Sequence, residues 1–345
     1  MQHGKSKSRP FQLFFGYNEG VQANLLWEVE RKRGMNQEHT SNKSSAADKQ
    51  STAKILWQLT RPHTLTASFV PVLIGTVLAM FYTDVDVWLF LAMLFACLWI
   101  QIATNLFNEY YDFKRGLDTE ESVGIGGAIV RHGMKPKTVL QLALVFYALA
   151  LMLGVYICAS SSWWLALVGL GGMAVGYLYT GGPLPIAYTP FGELFSGLCM
   201  GSFFILISFF IQTGVVNTDS ILISIPIAIL VGAINLSNNI RDIEEDKKGG
   251  RKTLAILMGH EKAVYFLGFL FAFSYLWVVG LVVFNDVSPW LFLIFLSVPK
   301  PVQAIKGFLG DQAPKRTGLA MKATAQTNTF FGFLLSVGLF ISYFW

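Results

Sequence analysis

Asn105-Leu106-Phe107-Asn108-Glu109-Tyr110-Tyr111-Asp112-Phe113-Lys114-Arg115-Gly116-Leu117-Asp118 begins where a long apolar run turns polar, and its framing returns 130 residues later. There the chain reads Asn235-Leu236-Ser237-Asn238-Asn239-Ile240-Arg241-Asp242, and Glu244, Glu245 and Asp246 follow. On an α-helix, positions i, i+3 and i+7 fall on one face, so each stretch aims two amides and a carboxylate the same way. Two such faces brought together would make an oxygen-lined cup at a membrane surface. A polar helix end that merely meets water needs one carboxylate, because Asn, Glu and Asp are costly in a bilayer unless they line a cavity or touch water. Two amides, three acids and two bases in the fourteen residues of the first stretch exceed that need. Hard oxygen donors suit Mg²⁺ and, through it, a diphosphate. The expected activity is therefore that of an enzyme acting on a lipid diphosphate.

Composition places these stretches in a membrane. The chain is 53% hydrophobic and 14% charged over 345 residues, with a mean hydropathy of +0.50, far more apolar than a soluble domain of that length. Windows of about 19 residues predict nine spans, near residues 64–83, 87–108, 138–158, 162–179, 191–213, 220–240, 263–284, 288–306 and 324–344. The expected fold is all-α, a multi-pass membrane protein whose nine transmembrane helices bundle around a central cavity. Its second and sixth helices end on the two motifs.

Lysine and arginine set the orientation, since they accumulate on the cytoplasmic side of short loops. Ten lie in the region up to Arg61, five in 109–137, six in 241–262 and five in 300–323, which accounts for all 26. The loops around Asp84 and Asp86, Ser160, Asn217 and Asp286 carry none. Nine spans then put the N-terminus in the cytoplasm and Trp345 outside, and the cup of this cell-membrane protein faces the cytoplasm. A net charge of +5 does not argue for nucleic acid, because the bases abut membrane spans. Membrane lipid headgroups are the expected partner, and no nucleic acid. Cys97, Cys158 and Cys199 fall inside predicted spans without paired spacing, which argues against disulfides and zinc.

Residues 1–54 are different material, rich in Ser, Gln, Asn, Thr and Lys from Gln37 onward, and read as a disordered or interfacial tail. Met35 is an alternative start, which would make the first 34 residues an upstream extension. Residues 55–345 form the transmembrane domain.

Other side chains complete the predicted site. Asp242 and Asp246 stand i,i+4 and would grip one cation, while Glu244, Glu245, Lys247 and Lys248 read as a solvated face. Gly249-Gly250 ends that helix, and Arg251, Lys252 and Thr253 then offer donors to phosphate oxygens. The 119–137 loop, with Gly124, Gly126, Gly127, Arg131, His132, Gly133, Lys135 and Lys137, is expected to fold over the cup, where Arg131 or Lys135 would reach a phosphate. It lacks the Lys-Ser/Thr ending of a P-loop. Tyr179 and Tyr188, in a loop without Lys or Arg, either flank a cation or belong to the aromatic belt. Arg61 either anchors at headgroups or faces the cup.

These parts suit one chemistry. Mg²⁺ stabilises diphosphate as a leaving group, and an allylic chain held in an apolar groove becomes an electrophile protected from water. An electron-rich aromatic ring beside it would attack. A secondary transporter is the rival from another class, because it also combines internal repeats with intramembrane polar groups. Transporter sites, however, lie near the midplane, and these acids cluster at one face.

On these residues the chain resembles the intramembrane aromatic prenyltransferases of the UbiA superfamily, nine-helix proteins with Asp-rich motifs on their second and sixth helices. The resemblance covers roughly residues 55–345. The family's first motif commonly runs Asn-Asp-x-x-Asp-x-x-x-Asp, whereas here Glu109 replaces the first Asp and Gly116 the last, with Asp118 two residues on. That Asp-x5-Asp form is similar to the branch that prenylates 1,4-dihydroxy-2-naphthoate in menaquinone synthesis. So are Leu59-Thr60-Arg61-Pro62-His63-Thr64, Gly182-Pro183-Leu184-Pro185 and Gly250-Arg251-Lys252-Thr253-Leu254. A basic residue that many relatives carry in the 180–190 loop is absent, which leaves Tyr179 and Tyr188 as substitutes.

The resemblance implies that Asn108, Asp112, Asp118, Asp242 and Asp246 bind Mg²⁺-diphosphate, the four aspartates being catalytic, with Arg131, Lys135 and Lys252 on phosphate. Asn105, Asn235, Asn238, Tyr179 and Arg251 complete the expected substrate-binding set. The implied reaction joins a polyprenyl chain from polyprenyl diphosphate to 1,4-dihydroxy-2-naphthoate with loss of CO₂, leaving demethylmenaquinone. Prenylation of 4-hydroxybenzoate, homogentisate or haem is the alternative within the enzyme class.

Overall fold

The computed structural model describes residues 52–118, 127–285, 287–310 and 313–345. Met35 and nearly all of the predicted tail lie outside the described residues, as do Gly124 and Gly126 of the predicted lid. Among the described residues every regular element is helical, and there is no strand. Helix α1 (Thr52–Leu59) leads through a 3₁₀ turn (Pro62–Thr64) into α2 (Thr66–Ala79), and α3 (Val87–Lys114) carries the first motif. A short α4 (Ala128–His132) precedes α5 (Pro136–Ser160), α6 (Leu165–Leu178) and α7 (Gly192–Thr213). The second motif ends α8 (Thr218–Arg241) and continues into the short α9 (Ile243–Lys248) and α10 (Leu254–Met258). The chain closes with α11 (His260–Phe284), α12 (Pro289–Phe308) and α13 (Pro314–Tyr343).

Seven of these helices, α3, α5, α7, α8, α11, α12 and α13, are long and apolar enough to cross a membrane. The spans expected at 64–83 and 162–179 are the apolar helices α2 and α6, each 14 residues long. At 1.5 Å per residue each measures about 21 Å, short of a hydrocarbon core of about 30 Å. Local backbone chemistry trims both. Arg61 sits in left-handed conformation (φ 51°, ψ 65°) just ahead of Pro62, so α2 starts late. Helix α6 stops at Tyr179, before Gly182 turns left-handed at φ 74°.

The caps and kinks follow from side-chain chemistry. Asp86 caps α3 by accepting from Trp88 N (2.7 Å) and Leu89 N (3.2 Å), and Asn217 with Ser220 forms a reciprocal capping box on α8. Pro226 inside α8 cannot donate to the Leu222 carbonyl, and Trp277 Nε1 of α11 donates to it instead at 2.9 Å. Helix α8 is the centre of the bundle, with 67% of its apolar window buried. Gly197 and Gly201 of α7 let that helix lie against Ala228 of α8, since a Cβ at Gly197 would stand 2.5 Å from the Ala228 carbonyl oxygen. The same stretch, Gly197–Ser202, is wound as a π-helix, a feature common where helices line functional cavities.

Buried apolar side chains divide into groups. One joins α2, α8, α11, α12 and α13 with part of α7. Others join α3 to α5 and to the ends of α6 and α7. A cavity lies between them.

Candidate active site

The two acidic stretches meet on one guanidinium. Arg251 Nη2 stands 2.8 Å from Asp112 Oδ1, and Arg251 Nη1 stands 3.0 Å from Asp246 Oδ1. Asp112 comes from the last turn of α3 and Asp246 from α9, so a single side chain ties the motifs together. The Tyr188 ring lies beneath, its centroid 5.1 Å from the Arg251 guanidinium carbon and 5.4 Å from that of Arg115. Tyr188 thus flanks cations supplied by the chain itself. Arg115 also donates to the carbonyls of Thr180 and Gly182, and Lys252 N donates to Tyr188 O at 2.9 Å. Both motifs therefore fasten the 179–190 loop.

More negative charge is gathered here than Arg251 neutralises. Asp246 Oδ2 is buried without a hydrogen-bond partner. Burial pushes the Asp246 carboxyl up to about 6, against the pull of Arg251 and with the repulsion of Asp242 and Asp112. Burial, then the charges of Asp112 and Glu109, likewise push Asp118 up to about 6, while Arg61 and Arg131 oppose the rise. Asn108 bridges, its amide nitrogen donating to Asp112 and its oxygen accepting from Arg61 Nη1 at 3.1 Å. Arg61 thus faces the cup, which decides between its two sequence readings, and a strained left-handed backbone at this position accords with a functional site.

Other predicted residues take different places. Asp242 sits at a kink between α8 and α9 (φ −100°, ψ 12°) and is held by both guanidinium arms of Arg241 at 2.6 Å. Asp242 and Asp246 therefore pair with different arginines, because the kink turns the two side chains apart. Glu109 is 1% exposed and accepts from Gly127 N (2.8 Å) and Ile129 N (3.2 Å), so it seats the start of α4. Arg131 folds back over Gly127, where a Cβ would meet its Nε at 2.5 Å. Arg131, Lys135 and Lys252 are exposed. Among the described residues no three carboxylate, histidine or cysteine side chains converge as a metal-binding group.

Below the cup lies a cavity of about 410 Å³ lined by α3, α5, α6, α7 and α8. Arg61, Asn105, Asn108, Tyr179, Asn235 and Asn238 line its polar end, and Met93, Cys97, Leu165, Met173 and Phe203 its apolar part. Asn235 Nδ2 donates to Tyr179 Oη at 2.6 Å, and behind them Asn239 donates to Glu193 at 2.8 Å. Sequence reasoning missed Glu193, Arg115 and Gln101. For Gln101 a signal existed, since it stands four residues before Asn105 on the same helical face. Such an arrangement suits a molecule with an anionic head at the cup and a long apolar tail in the cavity.

A profile of the UbiA prenyltransferase family matches residues 68–305, a span holding both motifs and Arg251. The chain belongs to the UbiA prenyltransferase family. Among relatives of this prenyltransferase, the 1,4-dihydroxy-2-naphthoate octaprenyltransferase of Bacillus subtilis (strain 168) is 77% identical over 310 residues, covering 90% of this chain and 100% of the relative. The UbiA prenyltransferase domain-containing protein 1 homolog of Drosophila melanogaster is 31% identical over 285 residues, covering 80% of this chain and 77% of the relative. Solved structures share the helical fold at low identity. A UbiA homolog from Archaeoglobus fulgidus bound to DMAPP and Mg²⁺ aligns with a TM-score of 0.54 at 17% identity, covering 82% of this chain and 99% of the other. Digeranylgeranylglyceryl phosphate synthase aligns with a TM-score of 0.57 at 16% identity, covering 84% and 99%. Membership of this prenyltransferase family sets aside the transporter alternative.

Proposed function

We propose that this UbiA-family enzyme transfers a polyprenyl chain from polyprenyl diphosphate to 1,4-dihydroxy-2-naphthoate, with loss of CO₂, giving diphosphate and the quinol form of demethylmenaquinone. The observation that carries this function is the 77% identity over 90% of the chain to the Bacillus subtilis octaprenyltransferase. A charged cup opening into an apolar cavity suits both halves of the donor.

Each part of the site has a task. Asp112, Asp118, Asp242, Asp246 and Asn108 are the residues that would hold Mg²⁺. The fit rests on hard oxygen donors, on the unpartnered Asp246 Oδ2 and on carboxyls crowded beyond what one guanidinium neutralises. Bound Mg²⁺ supplies neutralisation of the diphosphate as its bond to carbon breaks. Arg251, with Lys252, Arg131 and Lys135, contacts phosphate oxygens. The amides of Asn105, Asn235 and Asn238, with Tyr179, line the reacting end. Apolar walls keep water from the allylic carbon. The carbon–carbon bond forms at the carboxyl-bearing ring carbon as the carbon–oxygen bond breaks. Departing CO₂ then leaves its bonding pair in the ring, which restores aromaticity, and no covalent nucleophile from the chain is needed.

The same proposal includes nine spans, α2 and α6 joining the seven long helices, with a cytoplasmic N-terminus in the cell membrane. The one-sided Lys and Arg distribution supports it. A cysteine replacing Asp84 would then label from outside intact cells with an impermeant maleimide, and labelling only from the cytoplasm would overturn this topology.

The activity is tested by mass spectrometry of products from detergent-purified protein supplied with geranylgeranyl diphosphate, 1,4-dihydroxy-2-naphthoate and Mg²⁺. The expected product carries the prenyl group and lacks the carboxyl. Product from 4-hydroxybenzoate alone would sink the acceptor assignment, and no product from either ring would sink the transfer itself.

A further inference from the structure

Gln101 is a polar residue of the cavity with no part in the cup. On α3 it stands eleven residues before Asp112, about 16 Å away along the helix axis, and one turn beyond it the same wall is already apolar at Cys97. It is 7% exposed, and it lines the cavity. Its Nε2 faces Thr64 Oγ1 at 3.3 Å and Asn105 Oδ1 at 3.4 Å. Asn105 Nδ2 in turn donates to Thr60 O at 2.9 Å and Thr64 Oγ1 at 3.0 Å, and Thr64 Oγ1 donates to Arg61 O at 2.9 Å. This network fixes which way the Gln101 amide points. Its nitrogen is engaged, and its oxygen accepts no hydrogen bond among the described residues.

An amide oxygen at the wall of an apolar cavity is costly to leave unpaired, so a ligand with a donor is favoured there. Charge narrows the choice. Arg61 is the single Lys or Arg among the cavity-lining residues, and it stands at the cup end, 3.1 Å from Asn108 and 4.0 Å from Glu109. The wall at Gln101 is thus uncharged and offers an acceptor, which suits a neutral hydroxyl and not a phosphate or carboxylate. An isoprenoid chain carries no such donor, whereas a hydroxylated aromatic ring does. We propose that Gln101 contacts the aromatic acceptor, its Oε1 accepting a hydrogen bond from a ring hydroxyl, and so selects hydroxylated rings. This rests on the proposed function, since it deepens the description of the same cavity.

The test measures KM for each substrate in wild type and Gln101→Leu, together with inhibition constants for 1-hydroxy-2-naphthoate and 4-hydroxy-2-naphthoate. Losing one hydrogen-bond partner should raise the acceptor KM roughly tenfold and leave the prenyl diphosphate KM unchanged. For the analogue lacking the contacted hydroxyl, the penalty of the substitution should vanish. Gln101→Asn withdraws the oxygen by one methylene, should move the same parameter, and serves if the leucine variant fails to insert. Equal shifts in both KM values, or a penalty that persists with both analogues, would overturn the contact. Wild-type protein inactive on 1,4-dihydroxy-2-naphthoate would instead overturn the proposed function, and this contact with it.

Discussion

The two motif ends begin with the same framing and finish differently. Helix α3 runs unbroken through Asp112 to Lys114, whereas α8 stops at Arg241 and the chain kinks at Asp242. Asp112 and Asp242 are equivalent in register, yet Asp112 meets Arg251 and Asp242 meets its own neighbour Arg241. Past the kink, Asp246 takes the place facing Arg251. In the first half Glu109 is occupied by the backbone amides of α4, so each half keeps one acid for the shared arginine. Residue spacing sets which side chains share a helical face only while the helix continues, and one kinked residue redirects every carboxylate after it.

Substitutions can break or sharpen that contrast. Asp112→Ala, Asp242→Ala and Asp246→Ala should each lower turnover about a thousandfold or more while the protein inserts and purifies normally. Equal losses would mean that the kink changes partners only without Mg²⁺, and an active Asp242→Ala would leave Asp242 as the partner of Arg241 alone. Chelation by EDTA should stop turnover and Mg²⁺ should restore it.

Arg251→Ala would strand the carboxylates of both halves at once. Breaking a buried pair by removing one partner costs about 3–5 kcal/mol, so the variant should melt well below wild type in EDTA. The gap should narrow when Mg²⁺ is added, and identical melting of the two proteins in EDTA would remove Arg251 as the tie between the motifs. Smaller still, Glu109→Ala leaves the Gly127 and Ile129 amides unpaired, at about 1–3 kcal/mol. It should raise the donor KM through displacement of α4, while Glu109→Gln, which keeps an acceptor, should lie nearer wild type. A larger kcat loss in Glu109→Gln than in Asp112→Ala would make Glu109 a metal ligand after all.

The pH dependence is the mildest expectation. Asp118 and Asp246 have carboxyls raised from an ordinary value of 3.8 to about 6 in metal-free protein. Folded protein then holds protons that the unfolded chain has released between those values, so metal-free stability falls as pH rises from about 4 to 6. Mg²⁺ must displace the same protons, and its half-saturating concentration should rise as pH drops from 7 to 5. A flat Mg²⁺ requirement across that range would show that neither carboxyl binds the ion.

Apolar runs, one-sided bases and two repeated Asn/Asp framings were enough to predict an all-helical membrane protein and the pairing of Asp112 with the second motif. Those properties are local or periodic, and a chain displays them directly. Three things were decided by packing alone. Arg61 turns into the cup because a left-handed residue ahead of Pro62 aims it there, although Arg61-Pro62 reads equally well as a headgroup anchor. Glu109 is engaged by the backbone because Gly127 and Ile129, about 20 residues on, present amides that reach it. Asp246 rather than Asp242 faces Arg251 because the helix kinks at Asp242. A sequence fixes which donors and acceptors exist and which share a helical turn. Which of them meet across the bundle depends on where the helices end and how closely glycines such as Gly201 let them approach, and those contacts exist only once the chain has packed.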